Sequence, residues 1–230
     1  MMTSSEKAPV TVHLMRHGEV HNPQRIVYGR LPGYHLSEAG QRMVRLSAEE
    51  FKRRADAGAN IVHLVCSPLT RTQESAAPIE ELLGLTAVHD ERVIEADNYF
   101  EGLHVTKDEL LKHPAHWPHL LNPLRPSWGE PYRQQMTRMV EAIKDAARTA
   151  YEKGGAGAEA IIVSHQLPIW MARTSVEGGL LPHDPRKRQT NLASITSLHF
   201  DDIFSPGTPR LTYTEPAAEL YSGVIQLPGS

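Results

Sequence analysis

Short apolar blocks of strand length alternate along this chain with longer blocks in which apolar residues recur at helical spacing. The first block, VTVHLMR, is rich in β-branched residues and stops just before Gly18. The next block starts at Ser37, a favourable helix cap, and places Met43, Val44 and Leu46 at helical spacing. The predicted strand and helix pairs are 10–16 with 37–56, 61–67 with 70–83, and 160–165 with 167–177.

Three successive strand-to-helix units predict an α/β fold, a three-layer α/β/α sandwich with a mainly parallel sheet. A further helix is predicted over 132–153, and two last strands over 193–200 and 209–215. A turn signal, SPGTPR, separates those two strands. The 230 residues and 40% hydrophobic content suit one core, so we expect a single domain over residues 1–230.

The regular alternation breaks down between residues 99 and 133. Five prolines occur there, together with Trp117, Trp128 and three histidines spaced three apart. We interpret this segment as an inserted lid. Its aromatic residues suggest a substrate whose leaving group has some apolar or ring surface.

Composition narrows the class of function. Lys and Arg number 24 against 27 Asp and Glu, and a net charge of −3 gives no overall attraction to nucleic acid or anionic membranes. No apolar run approaches the length of a membrane span, and the first ten residues do not resemble a signal peptide. A single cysteine, Cys66, cannot form an internal disulfide. We therefore expect a cytoplasmic enzyme that binds anions at a local site. The sequence gives no indication of the oligomeric state.

Chemically capable residues follow the predicted strands, at the carboxyl edge where ligands bind in open α/β sheets. The first strand leads into Arg16 and His17, and the strand at 160–165 ends at His165. Arg71 follows the second strand, and Glu95 follows a short apolar run. These two arginines, two histidines and one carboxylate are expected to line one crevice.

That combination suits phosphoryl transfer. Arginine forks bind phosphate oxygens in pairs and offset the charge that moves in the transition state, a task for Arg16 and Arg71. Nearby guanidinium groups also disfavour a second positive charge, which keeps His17 neutral and nucleophilic. Glu95 is the best-placed carboxyl group to protonate a leaving alkoxide, with Glu91, Asp97 and Glu101 as rivals.

Four segments in this order resemble the histidine phosphatase superfamily, in its phosphoglycerate-mutase-like branch: RHGEVHN at 16–22, SPLTRT at 67–72, Glu95, and VSH at 163–165. The resemblance implies His17 as nucleophile and Glu95 as acid and later base. It implies that Arg16, Arg71 and His165 form the phosphate pocket, with Asn22 as an accessory contact. We also predict a small phosphate ester as substrate and neither a metal nor an organic cofactor.

Departures from the mutase pattern favour hydrolysis. Val20 stands where mutases carry Ser or Thr, and Gln166 follows His165 where they carry glycine. The His-Tyr-Gly element that follows their acid is absent after Glu95. We therefore predict a phosphomonoesterase, with Gln166 as a further substrate contact. The alternatives are a mutase-type isomerase and a catalytically silent protein that binds phospho-ligands.

Two other chemistries are disfavoured by spacing. Cysteine-dependent phosphatases need five residues between Cys and Arg, whereas Cys66 and Arg71 enclose four, one of them a proline without an N–H. Cys66 is therefore interpreted as a buried structural thiol. His113, His116 and His119 have a spacing that suggests zinc, but Pro114 and Pro118 interrupt the helix that would present them together.

Overall fold

One six-stranded sheet organises the molecule. The computed structural model describes residues 7–104, 114–120, 129–179 and 188–222. The strands are β1 (Val10–Arg16), β2 (Asn60–Cys66), β3 (Val88–His89), β4 (Ala158–Ser164), β5 (Ile195–Phe200) and β6 (Arg210–Thr214). Their order across the sheet is β3-β2-β4-β1-β5-β6. The strands β1 to β4 run parallel, and β5 pairs antiparallel with both β1 and β6, which confirms a mainly parallel sheet.

The predicted helices are present, with bounds close to those expected from the sequence. They are α1 (Glu38–Asp56), α2 (Thr70–Leu83), α3 (Tyr132–Gly154) and α4 (Gln166–Glu177), with short 3-10 helices at Glu91–Val93, Pro114–Leu120 and Ala218–Leu220. Ser37 caps α1 as predicted, since its side chain accepts a hydrogen bond from the amide of Gly40.

Helices cover both faces of the sheet, so the three-layer prediction is confirmed. Side chains alternate along β1, and Leu14 and Met15 enter opposite cores. Met15 packs with Met43 and Phe51 of α1, on the face that also receives α2. Leu14 packs on the other side with Met139 of α3 and residues of α4.

The lid prediction falls partly outside the described residues. Residues 105–113 and 121–128 are among those not described, and with them lie His113 and Trp128. The described parts are residues 99–104, the 3-10 helix Pro114–Leu120, which contains Pro118, and residues 129–133. The lid role of residues 99–133 and the single-domain assignment therefore stay predictions. Across the described ranges, no helix combines the length and apolar character that a bilayer crossing needs.

Candidate active site

The sheet register brings the two histidines together. Arg16 of β1 lies opposite Ser164 of β4, so the residue after each strand leaves the carboxyl edge at the same level. The amide of His17 donates to the carbonyl of Ser164 (3.1 Å), and the carbonyl of His17 accepts from the amide of Ala193 (3.2 Å). The rings of His17 and His165 meet edge to face, with centroids 5.2 Å apart.

The ring of His17 is oriented by the backbone that follows it. Its Nδ1–H donates to the carbonyl of Gly18 at 2.8 Å, which places the lone pair on Nε2. Nε2 is buried and has no hydrogen-bond partner within the described residues. Burial, followed by the charges of Arg71 and Arg16, holds the pKa of His17 well below its usual value. His17 is thus neutral at physiological pH and offers a nucleophilic nitrogen.

Gly18 fits a close approach between the loop and α1. A Cβ built at Gly18 would lie 2.5 Å from the carbonyl oxygen of Gly40 and 2.8 Å from Cγ1 of Val44. The amide of Gly18 also donates to Oγ of Ser75 in α2 (3.2 Å). The loop after β1 is therefore pressed against both helices of that layer, which fixes the position of His17.

His165 pairs with Arg71 and has the tautomer opposite to that of His17. Nη2 of Arg71 donates to Nδ1 of His165 (3.1 Å) and to the carbonyl of Gly29 (2.7 Å). Because Nδ1 accepts, the proton of His165 lies on Nε2, which donates to Oγ of Ser67 (2.8 Å). Burial and the charge of Arg71 hold the pKa of His165 well below its usual value. Nε of Arg71 is buried without a hydrogen-bond partner in the described residues.

Arg16 is only 1% exposed. Its Nη1 donates to the carbonyl of Thr190 at 2.8 Å. Burial lowers the pKa of Arg16 from its ordinary value, but a guanidinium stays protonated at physiological pH. Two fixed positive charges, Arg16 and Arg71, therefore lie beside the neutral ring of His17.

Glu95 is the buried carboxylate of the site. It is 4% exposed, whereas its rivals Glu91 and Asp97 are exposed. Its Oε1 accepts from the amide of Ala96 (2.8 Å), and its charge acts on both Arg16 and Arg71. Glu101, the remaining rival, is partly buried and its Oε1 accepts from the amide of Arg30 (2.8 Å). Burial in the crevice, where its charge acts on both arginines, makes Glu95 rather than its exposed rivals the candidate carboxyl group of the site.

The two remaining predicted contacts differ in their surroundings. Asn22 closes a local turn: its Nδ2 donates to the carbonyl of Ile26 (2.8 Å), and its Oδ1 accepts from the amide of Ile26 (3.3 Å). A phosphate contact by Asn22 stays a prediction. Gln166 is buried, and its Oε1 accepts from Nη1 of Arg188 at 3.3 Å.

Arg188 is a site residue that the sequence reasoning missed. Its positive charge helps to lower the pKa of Arg16. Burial lowers the pKa of Arg188 itself, against the opposing influence of Glu95 and Tyr132. The only signal for it is the basic run RKR at 186–188, which is typical of a solvated surface loop. The preceding residues 180–187 lie outside the described part of the chain.

Cys66 fits the structural role assigned to it. The thiol is buried at the end of β2, and burial raises its pKa to about 12, so it stays protonated. Within the ranges that the structure describes, no three His, Cys, Asp or Glu side chains are arranged to hold a metal ion. His113 is not described, nor is the side chain of His119, so the zinc alternative is not tested there.

The chain matches a family profile and several known proteins along most of its length. The profile of the histidine phosphatase superfamily, branch 1, matches residues 12–204. The uncharacterized protein Rv0525 of Mycobacterium tuberculosis is 45% identical over 208 residues, covering 90% of this chain and 96% of that protein. A probable phosphoglycerate mutase, GpmB of Yersinia enterocolitica, is 25% identical over 194 residues, with 83% and 85% coverage.

Solved structures share the fold at low sequence identity. The mycobacterial glucosyl-3-phosphoglycerate phosphatase Rv2419c superposes with a TM-score of 0.68 at 22% identity, covering 89% of this chain and 97% of that one. A putative alpha-ribazole-5'-P phosphatase of Escherichia coli superposes with a TM-score of 0.69 at 17% identity, with 90% and 97% coverage.

Proposed function

Because the chain belongs to the histidine phosphatase superfamily, branch 1, we propose that it is a phosphomonoesterase that acts on a small phosphorylated metabolite through a phosphohistidine. One observation carries the proposal. Nε2 of His17 is buried and without a hydrogen-bond partner in the described residues, and its ring is held by Gly18 beside Arg71 and Arg16. A buried ring nitrogen with a lone pair beside two guanidinium groups is what nucleophilic attack on a phosphate ester requires.

The first step transfers the phosphoryl group to the enzyme. Arg16 and Arg71 bind the nonbridging oxygens, and Nε2 of His17 forms a bond to phosphorus as the bond to the ester oxygen breaks. The ester oxygen leaves with the proton of Glu95, which becomes a carboxylate. The hydrogen bond from Nδ1–H of His17 to Gly18 stabilises the positive charge that develops on the ring.

The second step releases phosphate. The carboxylate of Glu95 takes a proton from a water molecule, whose oxygen bonds to phosphorus as the bond to Nε2 breaks. Glu95 is then protonated and His17 neutral, as at the start. His165 keeps Arg71 in place through its Nδ1, and Ser67 keeps His165 in the required tautomer.

Two residues of this chain lead us to propose hydrolysis rather than the mutase reaction. The fold neighbours include proteins named as phosphatases and one named as a phosphoglycerate mutase, so the fold does not choose between them. Val20 and Gln166 depart from the mutase pattern; Val20 is the third residue after His17, Gln166 directly follows His165, and both side chains are buried. Cytoplasmic location and independence of metal ions belong to the same proposal and are open to test.

Trapping the intermediate tests the proposal. A labelled phosphomonoester is mixed with the enzyme, the reaction is stopped at alkaline pH, and the labelled residue is identified by mass spectrometry. We expect transient label on His17, release of phosphate at the rate of substrate loss, and no label on His17→Ala. Stable label with interconversion of 2- and 3-phosphoglycerate would favour the mutase, and phosphate binding without turnover would favour the silent binding protein.

A further inference from the structure

We infer that Glu130 is a positioning residue for Glu95: through Arg30 and Arg138 it holds the peptide group that orients the Glu95 carboxyl group. The inference rests on the proposed function, in which Glu95 protonates the leaving group. It is carried by a chain of hydrogen bonds that joins these four residues.

Glu95 differs from His17 in how its main chain is held. His17 directly follows β1, and its backbone amide and carbonyl bond to other backbone groups at the edge of the sheet. Residues 94–97 lie in neither a helix nor a strand. Carbonyl groups in this part of the chain accept from side chains instead, as when Oγ of Ser164 donates to the carbonyl of Val93 (2.7 Å). The position of Glu95 therefore depends on side chains.

Two arginines converge on the carbonyl of Glu95. Nε of Arg30 donates to it at 2.8 Å, and Nη2 of Arg138 reaches it at 3.4 Å. Nη1 of Arg138 also donates to the carbonyl of Arg92, three residues earlier, at 2.6 Å. Arg138 thus fixes the segment at two points, and Arg30 holds the second of them as well.

Glu130 joins the two arginines. Its Oε1 accepts from Nε of Arg138 (2.7 Å) and its Oε2 from Nη2 of the same residue (2.8 Å), which makes a bidentate pair. Oε2 also accepts from Nη2 of Arg30 at 3.1 Å. The side chain of Glu130 is only 8% exposed, so solvent ions screen these pairs little. One carboxylate therefore sets the geometry of both guanidinium groups.

The peptide group that the arginines hold orients the carboxyl group of Glu95. The carbonyl of Glu95 and the amide of Ala96 belong to one trans peptide, so they share a plane and point in opposite directions. The amide of Ala96 donates to Oε1 of Glu95 at 2.8 Å. Donors on the carbonyl polarise the amide and strengthen that hydrogen bond. Because Oε1 is held by this donor, Oε2 carries the proton that passes to the ester oxygen in the proposed mechanism.

Loss of Glu130 should therefore impair proton donation rather than phosphate binding. The phosphate pocket depends on other contacts, because Arg16 bonds to Thr190 and Arg71 to His165. A misplaced proton donor slows each ester according to how much its leaving group needs the proton. A purely structural role of Glu130 would slow all esters equally.

Two aryl esters test the inference. Phenyl phosphate and p-nitrophenyl phosphate present the same ring, but phenolate leaves far less readily than p-nitrophenolate without a proton. The measured quantity is kcat/KM, which covers phosphoryl transfer to His17 and excludes the later hydrolysis of the phosphohistidine. In Glu130→Gln we expect kcat/KM to fall about tenfold on phenyl phosphate and less than about threefold on p-nitrophenyl phosphate.

A double variant shows whether Glu130 acts through Glu95. Glu95→Gln alone should slow phenyl phosphate by about a hundredfold, and p-nitrophenyl phosphate much less. Adding Glu130→Gln should not change the ratio of the two kcat/KM values any further, because the acid is already absent. The inhibition constant of inorganic phosphate should stay within about twofold of wild type in Glu130→Gln, since the phosphate pocket is intact.

Controls separate acid positioning from folding. Glu141→Gln removes an exposed glutamate of α3 and should change neither ester. Arg30→Met removes the hydrogen bonds to Glu95 and Glu130 and should show the same selective loss on phenyl phosphate. The side chain of Arg30 is 34% exposed and its backbone bond to Glu101 is retained, so this variant decides the question if Glu130→Gln does not fold.

Three results would overturn the inference while leaving the phosphatase intact. They are equal loss on both esters, no loss on either, and a selective loss that persists undiminished in the Glu95→Gln background. A Glu95→Gln variant that slows both esters equally would overturn the inference together with the acid role of Glu95. A wild-type enzyme that hydrolyses neither ester would instead contradict the proposed function.

Discussion

Replacing Gly18 with alanine should damage stability and turnover together. The added methyl group would lie 2.5 Å from the carbonyl oxygen of Gly40 and 2.8 Å from Cγ1 of Val44. Both distances are much shorter than a van der Waals contact. The first is to the backbone of α1, which cannot rotate away as a side chain could. Relieving them requires the loop after β1 to move off α1 by several tenths of an ångström.

The size of the effect follows from that geometry. Overpacking a close contact costs about 1–3 kcal/mol of unfolding free energy, and each kcal/mol lowers Tm by about 2–4 °C in a domain of this size. We therefore expect Tm to fall by roughly 2–12 °C. The carbonyl of Gly18 also orients His17, so the same movement should lower kcat by about tenfold, because misplacement by a whole ångström can cost about a hundredfold.

Thermal unfolding followed by circular dichroism, together with kcat on p-nitrophenyl phosphate, measures both effects. Gly207→Ala is the matched control, since nothing lies within 4 Å of the added methyl group and no left-handed backbone is required there. If Gly18→Ala matched Gly207→Ala in both Tm and kcat, the argument that this glycine sets the loop position would be wrong.

Three further outcomes are expected. Glu95→Gln should slow alkyl and sugar phosphates far more than p-nitrophenyl phosphate, whose phenolate leaves without a proton; equal slowing would move the acid role to another carboxylate, such as Glu101. Full activity should persist after EDTA treatment, and inactivation reversed by a divalent ion would contradict the metal-free mechanism. Burial raises the pKa of Glu159, but the hydrogen bond from His13 (2.8 Å) and nearby positive charges outweigh it and lower the pKa overall. A lowered folded pKa stabilises the fold above the unfolded value of about 4.3, and this contribution is lost as pH falls through the folded value. Glu159→Gln should therefore lower Tm at pH 7 and much less near pH 3; an equal deficit at both would exclude the linkage.

Local sequence pattern predicted most of the fold because the hydrophobic periodicity and the capping residues of each strand or helix lie within or next to that element. Ser37 caps α1 where expected, and the block before Gly18 forms β1. The antiparallel direction of β5 was not specified by the pattern, since strand direction depends on the path between elements rather than on apolar periodicity.

The site also contains residues that local sequence pattern predicted and residues that it did not. His17 and His165 follow directly after strands, so parallel pairing was enough to predict that they meet. Arg188 does not follow a strand predicted from the sequence, and its interaction with Gln166 joins residues 22 positions apart that no local spacing relates. Motif position suggested that Asn22 contacts the ligand. In the structure both polar atoms of its side chain bond to Ile26, and the ligand contact stays a prediction.

The backbone of His17 forms the last rung of the sheet on both sides, through Ser164 and Ala193. Main-chain hydrogen bonds do not depend on the identity of side chains, so these two bonds hold the backbone of His17 whatever side chains lie around it. Substitutions elsewhere in the site should therefore leave the backbone position of His17 unchanged. The proposed nucleophile and the side chains around it can then be varied independently of each other.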